Sequence, residues 1–259
     1  MPAIQNETIW LTGASSGLGL ALCHQLAAQG NRLIISARNT AALHALAAEH
    51  PGLIPLPLDI ADPKAVTAAS QQLQQHTDHL DRLILNAGTC EYLDPARPDP
   101  ALMTKIAEIN YLGQMHCIAA SLDLLKQAKA PHIVGISSQV IHAAFPRAAA
   151  YGASKAAMDY ALRSLWLDLA PHNIDLTLIR PGFVDTPLTR RNQFAMPFLM
   201  SADRAAQRCL RAIARRKHCY SFPKRLRLLL RLLNACLPAL RLKLLSGPAP
   251  PSSTDTPKR

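Results

Sequence analysis

Over its first 180 residues the chain alternates between two hydrophobic periods. Short runs rich in Leu, Ile and Val (TIWLTG, RLIISA, LIPLPL, RLILNAG, HIVGISS and IDLTLIR) read as strands buried on both faces. Between them lie stretches of helical character such as GLALCHQLAAQG, NTAALHALAAEH and AVTAASQQLQQHTDHL. Strand and helix in alternation imply crossover connections, which make the strands parallel and place helices on both faces of the sheet. The expected fold class is therefore α/β, a doubly wound parallel sheet. Gly30 falls where the first helix should end and suits a left-handed cap. No repeat or linker interrupts this region.

Composition narrows the class further. At 259 residues the chain can bury one substantial core, and 49% apolar with 17% charged residues are proportions of a globular protein. The N-terminus, MPAIQNETIWLTG, has no basic region followed by an apolar core, and no apolar run approaches the ~18 residues of a membrane span. Six scattered cysteines without a C-x-x-C pair read as thiols of a reducing compartment, which makes the expected location cytoplasmic. The histidines show no ligand spacing, so no metal is assigned.

The net charge of +11 is unevenly placed. Residues 204–245 hold 12 of the 28 Lys and Arg and no acid, which leaves 16 bases against 17 acids elsewhere. Three parts are expected: a catalytic domain over 1–223, a basic amphipathic helical arm over 224–245, and a Pro- and Ser-rich disordered tail over 246–259. In the arm, Lys224, Arg227, Arg231 and Asn234 fall on one helical stripe while leucines cover the rest. Such a helix suits the cytoplasmic face of an anionic membrane, and it equally suits packing on the protein body or on a second subunit. Pro238 should kink or split it. Nucleic acid is not expected, since no recognisable binding module accompanies the cations.

The first strand runs straight into Thr12-Gly13-Ala14-Ser15-Ser16-Gly17-Leu18-Gly19. Glycines between a strand and a helix let a phosphate approach the backbone, and the helix N-terminus adds N–H donors and partial positive charge. A dinucleotide is the expected ligand. Farther on, Tyr151-Gly152-Ala153-Ser154-Lys155 opens an Ala-rich helix and places tyrosine and lysine on one face. A free tyrosine titrates near ~10, too high for ready proton exchange at neutrality, and a neighbouring ammonium should lower that value.

With the spacing G-x-x-x-G-x-G, the sequence resembles the short-chain dehydrogenase/reductase family, whose fold is Rossmann-like, over roughly residues 8 to 190. Asn86-Ala87-Gly88 closes the fourth strand as in that family, Asn110 lies in the next helix, and Ser138 precedes Tyr151 by thirteen residues. Pro181-Gly182 with Thr186 matches P-G-x-x-x-T. The resemblance implies that Tyr151 exchanges a proton with the substrate oxygen and that Ser138 hydrogen-bonds the same oxygen. Lys155 would perturb Tyr151 and hold the nicotinamide ribose, and Asn110 would fix a water leading to Lys155. It implies a cofactor-binding set of Gly13, Ser15, Ser16, Gly17, Leu18, Gly19, Arg38, Asp59, Ile60, Asn86, Ala87, Gly88, Tyr151, Lys155, Pro181, Gly182, Val184 and Thr186. Hydride passes directly between substrate and nicotinamide, without a metal. Relatives pair through the helices bearing Asn110 and Tyr151, which implies a homodimer or homotetramer.

The second strand ends in Ala37-Arg38, where an acid would mark NAD. A guanidinium there can grip a 2′-phosphate, so NADP(H) is the expected cofactor. On the substrate side the resemblance points to Ser138, Gln139, Ile141 and Tyr151, and Ile141 replaces a glycine common among relatives. The apolar run Phe194–Met200 could form a lid or pack on the core, and His142 could contact substrate or solvent. The expected activity is NADP(H)-dependent oxidoreduction of a hydrophobic, lipid-like carbonyl or alcohol. The alternatives are dehydration or epimerisation, and a non-catalytic NADP(H)-binding protein that docks through its arm.

Overall fold

Runs with no polar face cannot border water, and all six are found as strands inside one sheet. The computed structural model describes residues 4–192 and 194–245. Its first half runs β1 (Thr8–Thr12), α1 (Gly17–Ala27), β2 (Arg32–Ser36), α2 (Thr40–Glu49), β3 (Leu53–Pro55), α3 (Pro63–His76), β4 (Arg82–Leu85), α4 (Pro100–Ala107) and α5 (Gly113–Lys126). Then come β5 (His132–Ile136), α6 (Ala149–Leu169), β6 (Asp175–Pro181), the short β7 (Val184–Asp185) and β8 (Met200–Ser201), and α7 (Ala202–Ala214). The chain continues through β9 (Cys219–Phe222), α8 (Lys224–Ala235) and α9 (Pro238–Leu245). Seven strands form a parallel sheet in the order β3-β2-β1-β4-β5-β6-β9, and β7 pairs with β8 apart from it.

The strand order reverses between β1 and β4, which opens a crevice at the carboxyl ends of the strands. Alternate strand residues feed two cores. Ile9 and Leu11 join the layer of α1, α2 and α7, whereas Trp10, Leu83 and Leu85 join that of α3, α5 and α6. Gly30, at φ +78°, follows α1 in a Schellman arrangement, its N–H bonding the Ala27 carbonyl and that of Asn31 the Leu26 carbonyl. Asp62 and Asp99 cap α3 and α4, each followed by a proline whose missing N–H costs nothing there.

The basic arm divides at Pro238, which opens α9. It is not a free appendage. Leu226 and Leu230 of α8 are buried with Ala143 against Phe145, Phe183 and Leu233. Of the three settings the leucines allowed, packing on the body accounts for this stripe. The proposed tail lies outside the described residues.

Candidate active site

The turn between β1 and α1 is built on crowding that only glycine permits. A Cβ on Gly19 would lie 2.0 Å from the Gly13 carbonyl oxygen, and one on Gly13 would lie 2.7 Å from the Ala87 Cα. Gly13 and Gly17 adopt φ +70° and +54°, a region that side chains disfavour. Asn86 holds the turn from across the switch point, its amide donating to the Thr12 and Gly13 carbonyls at 3.1 Å each. The Asn86 and Ala87 N–H groups both bond the Thr12 hydroxyl. Asn86 therefore shapes the loop with its side chain. Ser16, at the start of α1, makes no side-chain cap, so the helix presents its first N–H groups to the crevice. Gly17 abuts the Thr186 methyl, which brings the P-G-x-x-x-T segment to the same turn.

The second half of the site lies where β4 and β5 end. Asn110 sits within a π turn (Glu108–Leu112) between α4 and α5, a register change that sequence periodicity does not reveal. Fully buried, its side chain accepts the Thr89 N–H at 2.8 Å and donates to the Thr89 carbonyl at 2.8 Å and the Ser154 hydroxyl at 3.0 Å. It thus clamps the loop after β4 to helix α6. Gly88 sits beside both the Asn110 Oδ1 and the Lys155 Nζ. Lys155 is buried and donates to the Ile136 carbonyl at 2.9 Å. Burial pulls its ammonium down to about 8.

Tyr151 is hydrogen-bonded to Ser138, whose hydroxyl also accepts the Val140 N–H. Burial pushes the phenol up to about 12, against the lowering effect of Ser138. This corrects the expectation that Lys155 lowers it. The lysine gives up its proton before the phenol titrates, so no ammonium remains to favour the phenolate. At neutrality Tyr151 is a phenol.

A hydrogen-bonded, half-buried serine–tyrosine pair, a neutral-range lysine and an uncapped helix behind a glycine turn form one crevice. The family model for short chain dehydrogenase matches residues 7–196. An uncharacterized oxidoreductase of Myxococcus xanthus is 33% identical over 227 residues, covering 86% of this chain and 90% of that protein. The chain belongs to the short-chain dehydrogenase family. By family it is an oxidoreductase. A fatty acyl-CoA reductase of Acinetobacter baylyi is 32% identical over 195 residues, 71% of this chain and 65% of that protein. A solved short chain dehydrogenase from Burkholderia cenocepacia, in complex with NADP, superposes with a TM-score of 0.81 at 26% identity. It covers 95% of this chain and 100% of that one.

Around this short-chain dehydrogenase core the peripheral residues take varied places. Arg38 is exposed just past β2. The Asp59 carboxylate accepts the Ala61 N–H, and the Ile60 carbonyl would meet a Cβ on Gly113 at 2.5 Å, wedging this corner against α5. Gln139 is buried and donates to the Pro223 carbonyl at the start of α8. Ile141 is half-buried beside it. His142 is half-buried too, and its imidazolium is disfavoured by burial and by Arg180 and Arg231.

Two residues went unmarked by sequence reasoning. Cys90 and Tyr92 follow Asn86-Ala87-Gly88, bond each other, and interact electrostatically with Lys155 and Tyr151. Their position directly after that motif was the available signal. Tyr92 also donates to Asn192 at 3.0 Å and meets the Phe194 ring edge-on at 5.9 Å, and Phe194 in turn lies 6.1 Å from Phe183. The apolar run after residue 193 thus touches this corner through Phe194, although Phe194, Phe198 and Leu199 are all exposed.

Proposed function

We propose that this chain is an NADP(H)-dependent oxidoreductase that moves a hydride between nicotinamide and an apolar, lipid-like carbonyl or alcohol. The observation carrying the reading is the gathering of Ser138, Tyr151, Lys155 and Asn110 at the carboxyl ends of β4 and β5. The glycine turn fits a dinucleotide, because Gly13, Gly17 and Gly19 bring no side chain to it and the first N–H groups of α1 lack a capping side chain. Gly13, Ser15, Ser16, Gly17, Leu18 and Gly19 would hold the pyrophosphate. Pro181, Gly182, Val184 and Thr186, with Ala87 and Gly88, would border the nicotinamide end, and Asp59-Ile60 the adenine. Arg38, which forms no ion pair among the described residues, suits a 2′-phosphate. The NADP bound in the Burkholderia neighbour supports the same choice.

A bound nicotinamide supplies the hydride that adds to the carbonyl carbon. Ser138 donates to the carbonyl oxygen and fixes its place, and Tyr151 delivers the proton that turns the developing alkoxide into an alcohol. Lys155, with its proton held at about 8, is matched to re-supply Tyr151 near neutrality. Asn110 fixes the loop after β4 against α6 and so keeps Lys155 and Tyr151 in register. Oxidation runs the same steps in reverse.

The phenyl rings of Phe183 and Phe194 and the side chain of Ile141 favour an apolar substrate, and the likeness to a fatty acyl-CoA reductase supports a lipid-like one. Exposed Leu112, Tyr160 and Leu167 along the π turn and α6 suit pairing with a second copy. All six cysteines are free, as a cytoplasmic protein would keep them. No observation favours the non-catalytic reading. The test follows NADPH absorbance with apolar ketones and aldehydes. Tyr151→Phe should lower kcat by about 10²–10⁴-fold while leaving NADPH affinity nearly intact. Equal turnover in the variant would sink the assignment.

A further inference from the structure

The inner face of α8 packs on the two segments that flank Ser138 and Gly182. Leu226 and Leu230 lie against Ala143, Phe145 and Phe183, the Pro223 carbonyl accepts from Gln139, and a Cβ on Gly182 would sit 2.7 Å from Leu226 Cδ2. The outer face of α8 carries Leu228, Leu229 and Leu232, which are 60%, 50% and 58% exposed. Leu228 and Leu232 lie on the side of the helix away from the buried stripe with Arg225 beside them, Leu229 lies on the flank, and Lys224 and Arg231 border the other side. Leu237, just before α9, and Leu240 and Leu244 within it continue the exposed apolar surface. At the base of α8 an open hollow of about 460 Å³ is lined by Phe198, Arg208, Tyr220, Phe222, Lys224 and Arg225. None of these cations forms an ion pair among the described residues.

We propose that α8, α9 and this hollow form a surface that docks on an anionic phospholipid bilayer and sets the substrate mouth against it. The leucines would enter the acyl boundary while Arg225, Lys224, Arg231 and Arg208 meet phosphate headgroups. A second copy on the same patch is disfavoured, because a two-fold contact would bring cations against cations with no acid anywhere in residues 204–245. Nucleic acid would leave the leucines without a role. The inner face ties this surface to the loops beside Ser138 and Gly182, so a docked protein can draw an apolar substrate from the bilayer. That last step rests on the proposed substrate class, whereas docking does not.

The test is sedimentation of the full chain with vesicles of phosphatidylglycerol and phosphatidylcholine, and with phosphatidylcholine alone. The protein should sediment with the anionic vesicles at low salt and be released by high salt. A Leu228→Asp, Leu229→Asp, Leu232→Asp variant changes only exposed positions, so its fold should persist, as circular dichroism would verify. It should lose at least about tenfold in vesicle affinity. It should also lose turnover of a bilayer-resident ketone while keeping turnover of a small water-soluble one. Absence of vesicle binding, or binding indifferent to the triple substitution, overturns the proposal. So does a dimer that the substitution converts to monomer while wild type ignores vesicles. NADPH titration, read separately, shows whether the oxidoreductase reading stands when docking fails.

Discussion

Replacing Lys155 by methionine separates two consequences of burying that ammonium. The folded protein holds it at about 8 against an ordinary 10.5, mainly through burial, with Cys90 opposing weakly. Keeping it charged near neutrality therefore costs about 3 kcal/mol. Lys155→Met removes that cost but strands the Ile136 carbonyl, which now accepts from Nζ at 2.9 Å, and a lost partner costs about 1–3 kcal/mol at every pH. The two effects nearly cancel near neutrality, and the information lies in the pH dependence. The folded lysine releases its proton near 8 and the unfolded one near 10.5. Between those values the unfolded chain binds more protons, so wild-type stability rises with pH through this window, and the variant lacks that rise. From pH 7 to pH 10 wild type should gain about 2–3 kcal/mol over Lys155→Met. Denaturant unfolding of both proteins at several pH values measures it. Parallel curves would show that Lys155 is not desolvated as described, and its proposed role as a neutral-range proton source would fall with them.

Other substitutions probe the remaining parts. Arg38→Asp should weaken NADPH by about tenfold or more and NADH much less, read by fluorescence titration, because it puts a carboxylate where the 2′-phosphate would lie. Gly19→Ala drives a methyl against the Gly13 carbonyl. It should cost about 1–3 kcal/mol in thermal or denaturant unfolding and remove dinucleotide binding. Gly182→Ala pushes Leu226 and the base of α8 outward. It should raise KM for an apolar substrate with little change in NADPH affinity, and an unchanged KM would detach α8 from the substrate mouth.

The sheet was legible because its strands are buried on both faces, so runs such as RLIIS and HIVGI carry no polar interruption. The proposed proton-transfer set could be picked out because Ser138, Tyr151 and Lys155 sit at fixed separations in one stretch of chain. What escaped was set by three-dimensional neighbours. The π turn at Asn110 leaves no trace in hydrophobic period, since one helix simply reads into the next. Cys90 and Tyr92 reach Lys155 and Tyr151 only once β4 and α6 are side by side. The rise of Tyr151 to about 12 depends on how thoroughly its ring is enclosed, which no spacing encodes. In α8, leucines occur on more than one face, and only the fold decides that Leu226 and Leu230 go inward.

The position of β9 carries a consequence for how such a protein diversifies. Because it pairs in parallel with β6, the chain leaves the sheet at Phe222 beside Pro181-Gly182. Any stretch added after that point begins at the rim of the proposed substrate opening, whatever its sequence. Recognition of new molecules can therefore be rewritten in the last few dozen residues. The proposed proton relay, encoded between residues 110 and 155, is left undisturbed. Chemistry and selectivity evolve on separate lengths of the same polypeptide.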